Sequence, residues 1–148
     1  MISKQEYSTR VLTSLSEEET CRTLRQALRK EGLEVTQEVD LSEKIERHIG
    51  LSLSKYAIFS VWSPLATYQA LLTMPEAGLF VPFHLAITSL NGQTLVMVVN
   101  PDWLAQMIDR IGFRLLAKEV SAKLRRALRA LKASEVTREE LETAATGA

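Results

Sequence analysis

Apolar and polar positions along the chain follow two periods, and the switches between them mark the elements. From Cys21 the apolar residues recur at helical spacing through Leu24 and Leu28. Ser16 and Glu19 form a capping box ahead of this run, and Glu17, Glu18 and Glu19 suit the positive end of a helix dipole. Gly32 ends the helix as a left-handed cap. Leu33, Val35 and Gln37 then alternate with Glu34, Thr36 and Glu38, the pattern of a strand exposed on one face. Asp40 caps a short helix that runs through Ile49 and stops at Gly50. Ahead of all this, residues 7–12 read as a strand.

In the second half the period changes again. Tyr56–Trp62 is charge-free and β-rich, and Ser63-Pro64 opens a helix that Met74-Pro75 closes near Thr73. No charged residue occurs from Ala77 to Pro101, a length that could span a bilayer. Pro82, His84 and Asn91-Gly92 interrupt it, however. Asn-Gly between β-rich runs predicts a hairpin, because both residues tolerate the positive φ of a type I′ turn. Phe83–Leu90 and residues 94–99 are therefore paired strands rather than a membrane span. Asn100-Pro101 starts a helix over 102–110, and Gly112 separates it from a long helix over 113–131. A second capping box, Thr137 with Glu140, precedes a short acidic segment.

The predicted order is β-α-β-α-β-α-β-β-α-α. This is an α+β fold of two layers, a single mostly antiparallel sheet of about five strands packed against helices. Residues 1–133 form one domain, and residues 134–148 an acidic C-terminal tail with a short helix. The length, 148 residues, agrees with one core. Eighteen basic and eighteen acidic side chains cancel, which removes whole-molecule attraction to nucleic acid. Cys21 stands alone, so no intrachain disulfide forms, and the start of the chain lacks the apolar run of a signal peptide. A cytoplasmic location is the expectation.

Candidate chemistry is sparse. Between Tyr56 and Ile108 the only charges are Glu76 and Asp102, and seven of the nine aromatics fall in that stretch. Such a block is either core or a surface for a second copy or an apolar ligand. His48 and His84 lie far apart with no metal-ligand spacing, so no metal site and no cofactor are expected. Cys21 shares the apolar face of Leu24 and Leu28 and reads as a small buried hydrophobe. No nucleophile elbow or phosphate-binding glycine loop occurs, and no catalytic residue is assigned. On the helix over 113–132, Phe113, Leu116, Val120, Leu124, Leu128 and Leu131 share one arc, with Arg114, Lys118, Arg125, Arg126, Arg129 and Lys132 facing away. From Asp109 to Lys132 eight basic residues face two acidic ones, a pattern open to an anionic membrane or a phosphate backbone and equally to a solvated face.

One set of residues resembles a known family. It comprises Glu31-Gly32 after the first helix, Val39-Asp40, Leu51, Lys55-Tyr56, and Val61-Trp62-Ser63-Pro64 with the segment Leu65-Ala66-Thr67-Tyr68-Gln69-Ala70-Leu71. Ala77-Gly78-Leu79-Phe80-Val81-Pro82-Phe83, Asn91-Gly92 and Asn100-Pro101 complete it. In order and spacing these resemble the bacterial and archaeal family named for domain of unknown function 302, over most of the chain. The resemblance implies a compact, self-associating α+β domain and no assigned activity. Many members carry Ala-Cys-Asn-Pro and Leu-Pro-Cys where this chain has Val61-Trp62-Ser63-Pro64 and Val81-Pro82-Phe83. Thiol or soft-metal chemistry at that place is thus replaced by aromatic surface at Trp62 and Phe83.

The expectation is a non-enzymatic homodimer or small apolar-ligand-binding module, its site or interface built on Trp62, Ser63, Tyr68, Phe83 and His84. Trp62 and Phe83 supply apolar surface, and Ser63, Tyr68 and His84 the orienting polar groups. An alternative is an enzyme on a small metabolite, with His84 as acid–base and Asp40 or Asp102 assisting. A third reading is anionic-membrane or nucleic-acid association through the basic helix, although no nucleic-acid partner is expected from the overall charge.

Overall fold

The computed structural model describes residues 6–145. The strands are β1 (Ser8–Thr13), β2 (Glu34–Asp40), β3 (Tyr56–Trp62), β4 (Phe83–Leu90), β5 (Gln93–Val99) and β6 (Ser134–Glu135). The helices are α1 (Glu17–Lys30), α2 (Leu41–Ile49), α3 (Pro64–Thr73), α4 (Pro101–Ile108), α5 (Ile111–Leu128) and α6 (Arg138–Ala145). Single 3₁₀ stretches follow α3 (Pro75–Leu79) and α5 (Arg129–Leu131). Among the described residues no helix is long and apolar enough to cross a membrane.

One six-stranded sheet runs in the order β2-β3-β4-β5-β1-β6, every neighbouring pair antiparallel. The sixth strand exceeds the number read from sequence. Two residues offer no alternation to read, and β6 exists only because Ser134 and Glu135 pair with Leu12 and Val11. The Asn91-Gly92 turn forms as expected, with φ of 51° and 80°.

Register lines up the inner face in rows. Phe59 lies opposite Leu85, which lies opposite Val98, and Ala57, Ile87, Val96 and Val11 form the next row. Leu24 and Leu28 of α1, Ala66 and Ala70 of α3, and Phe113, Leu116, Val120 and Leu124 of α5 close over these rows in one core. Phe113 meets Phe80 edge-on at 5.7 Å and Phe83 at 6.4 Å, tying α5 to the start of β4.

The caps read from sequence are largely in place. The side chains of Ser16, Asp40 and Asn100 accept from the backbone N–H of Glu19, Glu43 and Asp102, and Gly50 closes α2 at φ 71°. Thr137 and Glu140 satisfy each other's N–H groups at the start of α6. Two expectations are corrected. Ser63 makes no cap bond to α3, because its hydroxyl donates to Glu119 Oε2 at 3.2 Å. Gly112 does not separate the last helices: it lies inside α5, and the break falls at Asp109, φ 50°. The glycine serves packing instead, since a Cβ there would run into Thr73 Oγ1 of α3.

Candidate functional site

The five residues singled out in sequence sit where β3 gives way to α3 and where β4 begins. Strand alternation sends Val61 inward and Trp62 outward. Phe83, opposite Val61, points inward and is 2% exposed. His84, opposite Ser60, points outward, and its Nδ1 lies 3.2 Å from Ser60 Oγ. Ser63 is buried and bonded to Glu119. Tyr68 stands 61% exposed on the helical layer. The five therefore divide three ways. Phe83 and Ser63 lie inside, Trp62 and His84 share the outer face of the sheet, and Tyr68 lies on the other side of the molecule.

The outer sheet face has a composition that a solvated face lacks. Val39, Ile58, Ala86 and Met97 follow one another across β2, β3, β4 and β5, ending at Arg10 of β1. The adjacent row holds Tyr56, Thr88, Leu95 and Leu12. Most of these side chains are half-buried, and Leu95 is 2% exposed although it lies outside the main core. An antiparallel sheet covered on one side normally presents polar residues on the other. Here β3, β4 and β5 carry no Lys, Arg, Asp or Glu at all. At the rim of this face the Trp62 indole Nε1 is buried without a hydrogen-bond partner among the described residues.

Among the described residues Arg10 is the one charged group sealed on this side. At 6% exposed, it donates to the Val136 carbonyl at 3.1 Å, to Ser8 Oγ at 2.8 Å and to Glu6 at 3.3 Å. No sequence period announces it; its cover comes from the chain after β6.

Other reactive groups are engaged or muted. Cys21 borders a cleft of about 290 Å³ with Arg25, Glu38 and Lys55 on its wall. Burial raises the thiol pKa, against the opposing pull of Arg25 and Lys55, so the thiol stays protonated near neutrality. Arg25 grips Glu38 through two bonds of 2.6 and 2.7 Å and lies over the Phe59 ring at 5.4 Å. That grip holds the Glu38 carboxyl below its usual range. Asp40 is also depressed, chiefly by the Ser42 hydroxyl and then the Glu43 N–H, as its capping role demands. Asp102 faces Arg125 at 3.9 Å in the helical layer, whereas His84 faces outward from the sheet. Among the described residues no three His, Cys, Asp or Glu side chains cluster to hold a metal ion.

Sequence reasoning missed one surface. Leu65, Tyr68 and Leu72 of α3 and Ile111 and Leu115 of α5 are 61–71% exposed. The signal was present in the i, i+3, i+7 spacing of the α3 residues, on the side opposite Ala66, Thr67 and Ala70.

A family model described as "Domain of unknown function DUF302" matches residues 8–131. Among solved structures, the chain is similar to the crystal structure of an uncharacterized conserved protein DUF302 from Bacillus stearothermophilus. The TM-score is 0.79 at 23% identity, over 86% of this chain and 99% of that one, a likeness of fold. No curated protein matches the chain.

Proposed function

The chain belongs to the DUF302 family, and on that premise we propose that it is a self-associating cytoplasmic module without catalysis of its own, two copies pairing across the outer sheet face. One observation carries this reading: the three central strands hold no charged residue, yet among the described residues no helical layer covers one of their faces. Sheets stack about 10 Å apart with their strands nearly aligned, so Ile58, Ala86 and Met97 of each copy can interdigitate. Such pairing removes apolar surface from water, and homodimer interfaces are the more apolar kind.

Trp62 and His84 border the contact. The half-buried Trp62 ring supplies apolar surface there, and His84, oriented by Ser60, supplies a polar group at the rim. Tyr68 lies outside this interface, and Ser63 and Phe83 support it from beneath by fixing the β3–α3 junction and the start of β4. The lone, half-buried Cys21 agrees with a reducing compartment.

Native mass spectrometry of wild type and Trp62→Ala tests the reading, with circular dichroism as the folding check. Wild type is expected as a dimer of unaltered chain mass, and Trp62→Ala as a folded protein shifted toward monomer. A wild-type monomer at micromolar concentration ends the proposal. A monomer carrying extra mass released on denaturation transfers the face to a small apolar ligand.

A further inference from the structure

We propose that the outer surface of the helical layer docks on anionic lipid bilayers, Leu65, Tyr68, Leu72, Ile111 and Leu115 entering the headgroup boundary while Arg29, Lys30 and Arg129 engage its phosphates. This surface lies on the opposite side of the molecule from the outer sheet face, so the proposal stands or falls separately from self-association.

The apolar part is a continuous band. At about 100° per residue the three α3 residues lie opposite the buried Ala66, Thr67 and Ala70. Ile111 and Leu115 likewise lie opposite Phe113, Leu116, Ala117 and Val120. The two helices run antiparallel side by side: Ser63 at the head of α3 bonds Glu119, and Gly112 near the head of α5 lies against Thr73 and Ala70. The two stripes are therefore neighbours that point away from the sheet together. Each of the five side chains keeps 61–71% of its surface exposed, and α3 carries no charge to break the band. Apolar patches of this kind on a single chain mark interaction sites. Tyrosine is the aromatic type favoured at headgroup level.

Beyond Leu115 the same surface turns basic. The end of α1 meets the C-terminal half of α5 through Arg126 and Glu31, 2.6 Å apart. Around this contact Arg29, Lys30, Arg129 and Lys132 are exposed and form no ion pair among the described residues. Of the acids nearby, Glu31 is engaged by Arg126, Glu119 by Lys123 and Ser63, and Asp109 by Arg114, while Glu34 shares a cleft with Arg29. Four exposed cations against Glu34 leave the unbalanced charge on this surface positive. A second copy paired with its two-fold axis at the basic end would set these cations against their own kind, and one paired with the axis on the leucines would leave the cations unpartnered. A nucleic acid would satisfy them but leave the leucines in water. An anionic bilayer satisfies both halves.

Flotation of the full chain with vesicles of equimolar phosphatidylcholine and phosphatidylserine, against phosphatidylcholine alone, tests this at about 0.1 M and about 0.5 M salt. Binding is expected only to the anionic vesicles and only at the lower salt. Arg29→Ala with Lys30→Ala and Arg129→Ala should weaken it about a hundredfold, three cations each counting near the surface. Ile111→Glu with Leu115→Glu should abolish it. All five positions are exposed, and an unchanged thermal melt verifies folding. Absence of wild-type flotation overturns the proposal. So does flotation that survives the two glutamates, and so does duplex DNA binding that they leave intact.

Discussion

On the outer face of the sheet the apolar side chains cover one another, whereas on the outer surface of the helices they stay mostly exposed to water. Ile58, Ala86 and Met97 are half-buried, while Leu72, Ile111 and Leu115 are 65–71% exposed. Spacing explains the contrast. Neighbouring strands lie about 4.8 Å apart, so facing side chains touch across the register. Packed helices lie about 8–10 Å apart, so side chains at their crests cover one another less. Each apolar side chain of the sheet face thus exposes less surface to water than each one at a helix crest. The first surface suits a like partner, and the second a partner that is itself apolar.

The core between the two surfaces sets the upper limit of any disruption. Phe113 is fully buried against Phe80 and Phe83, at the point where α5 holds the start of β4. Phe113→Ala should cost about 3–5 kcal/mol in urea unfolding, the range for deleting a buried aromatic. A loss below about 1 kcal/mol would mean that helix and sheet are held together elsewhere.

The contrast itself is tested by one substitution on each surface. Leu95 lies on the outer sheet face yet is 2% exposed, between Thr88 and Leu12. Leu95→Ala should destabilise by about 2–3 kcal/mol. Ile111→Ala, at a crest 71% exposed, should stay within about 0.5 kcal/mol of wild type. Equal losses at the two positions would erase the distinction.

Much of this arrangement was legible in the chain because it is set by local chemistry. Ser16, Asp40, Gly50, Asn91-Gly92 and Asn100 each act within a few residues, and each does what its neighbours imply. What could not be read depends on distant partners. Strand β6 is defined by β1, more than a hundred residues away. Gly112 looks like a helix breaker until Thr73 is brought against it. Ser63 looks like a cap until Glu119 competes for its hydroxyl. The candidate site divides for a related reason. A charge-poor, aromatic-rich stretch shows that its residues are covered or partnered. Strand alternation then decides which side each one takes, separating Phe83 from His84 although they are adjacent in sequence.

The smallest expected effect lies at the seam where α1 meets the sheet edge. Glu38 of β2 is gripped by Arg25, whose guanidinium also lies over Phe59. Both partners remain well exposed, 44% for Arg25 and 38% for Glu38, so solvent screens the pair. Glu38→Gln should therefore cost less than about 1 kcal/mol at neutral pH. The direction with pH follows from the depressed carboxyl. Its contribution is complete above the unfolded-state value of about 4.3 and is lost as pH falls through the lower folded-state value. Urea unfolding of wild type and variant should thus differ by a constant amount from neutrality down to about pH 5.5, then converge in acid. A gap that stays unchanged at about pH 3 would show that Glu38 holds the seam by packing rather than by charge.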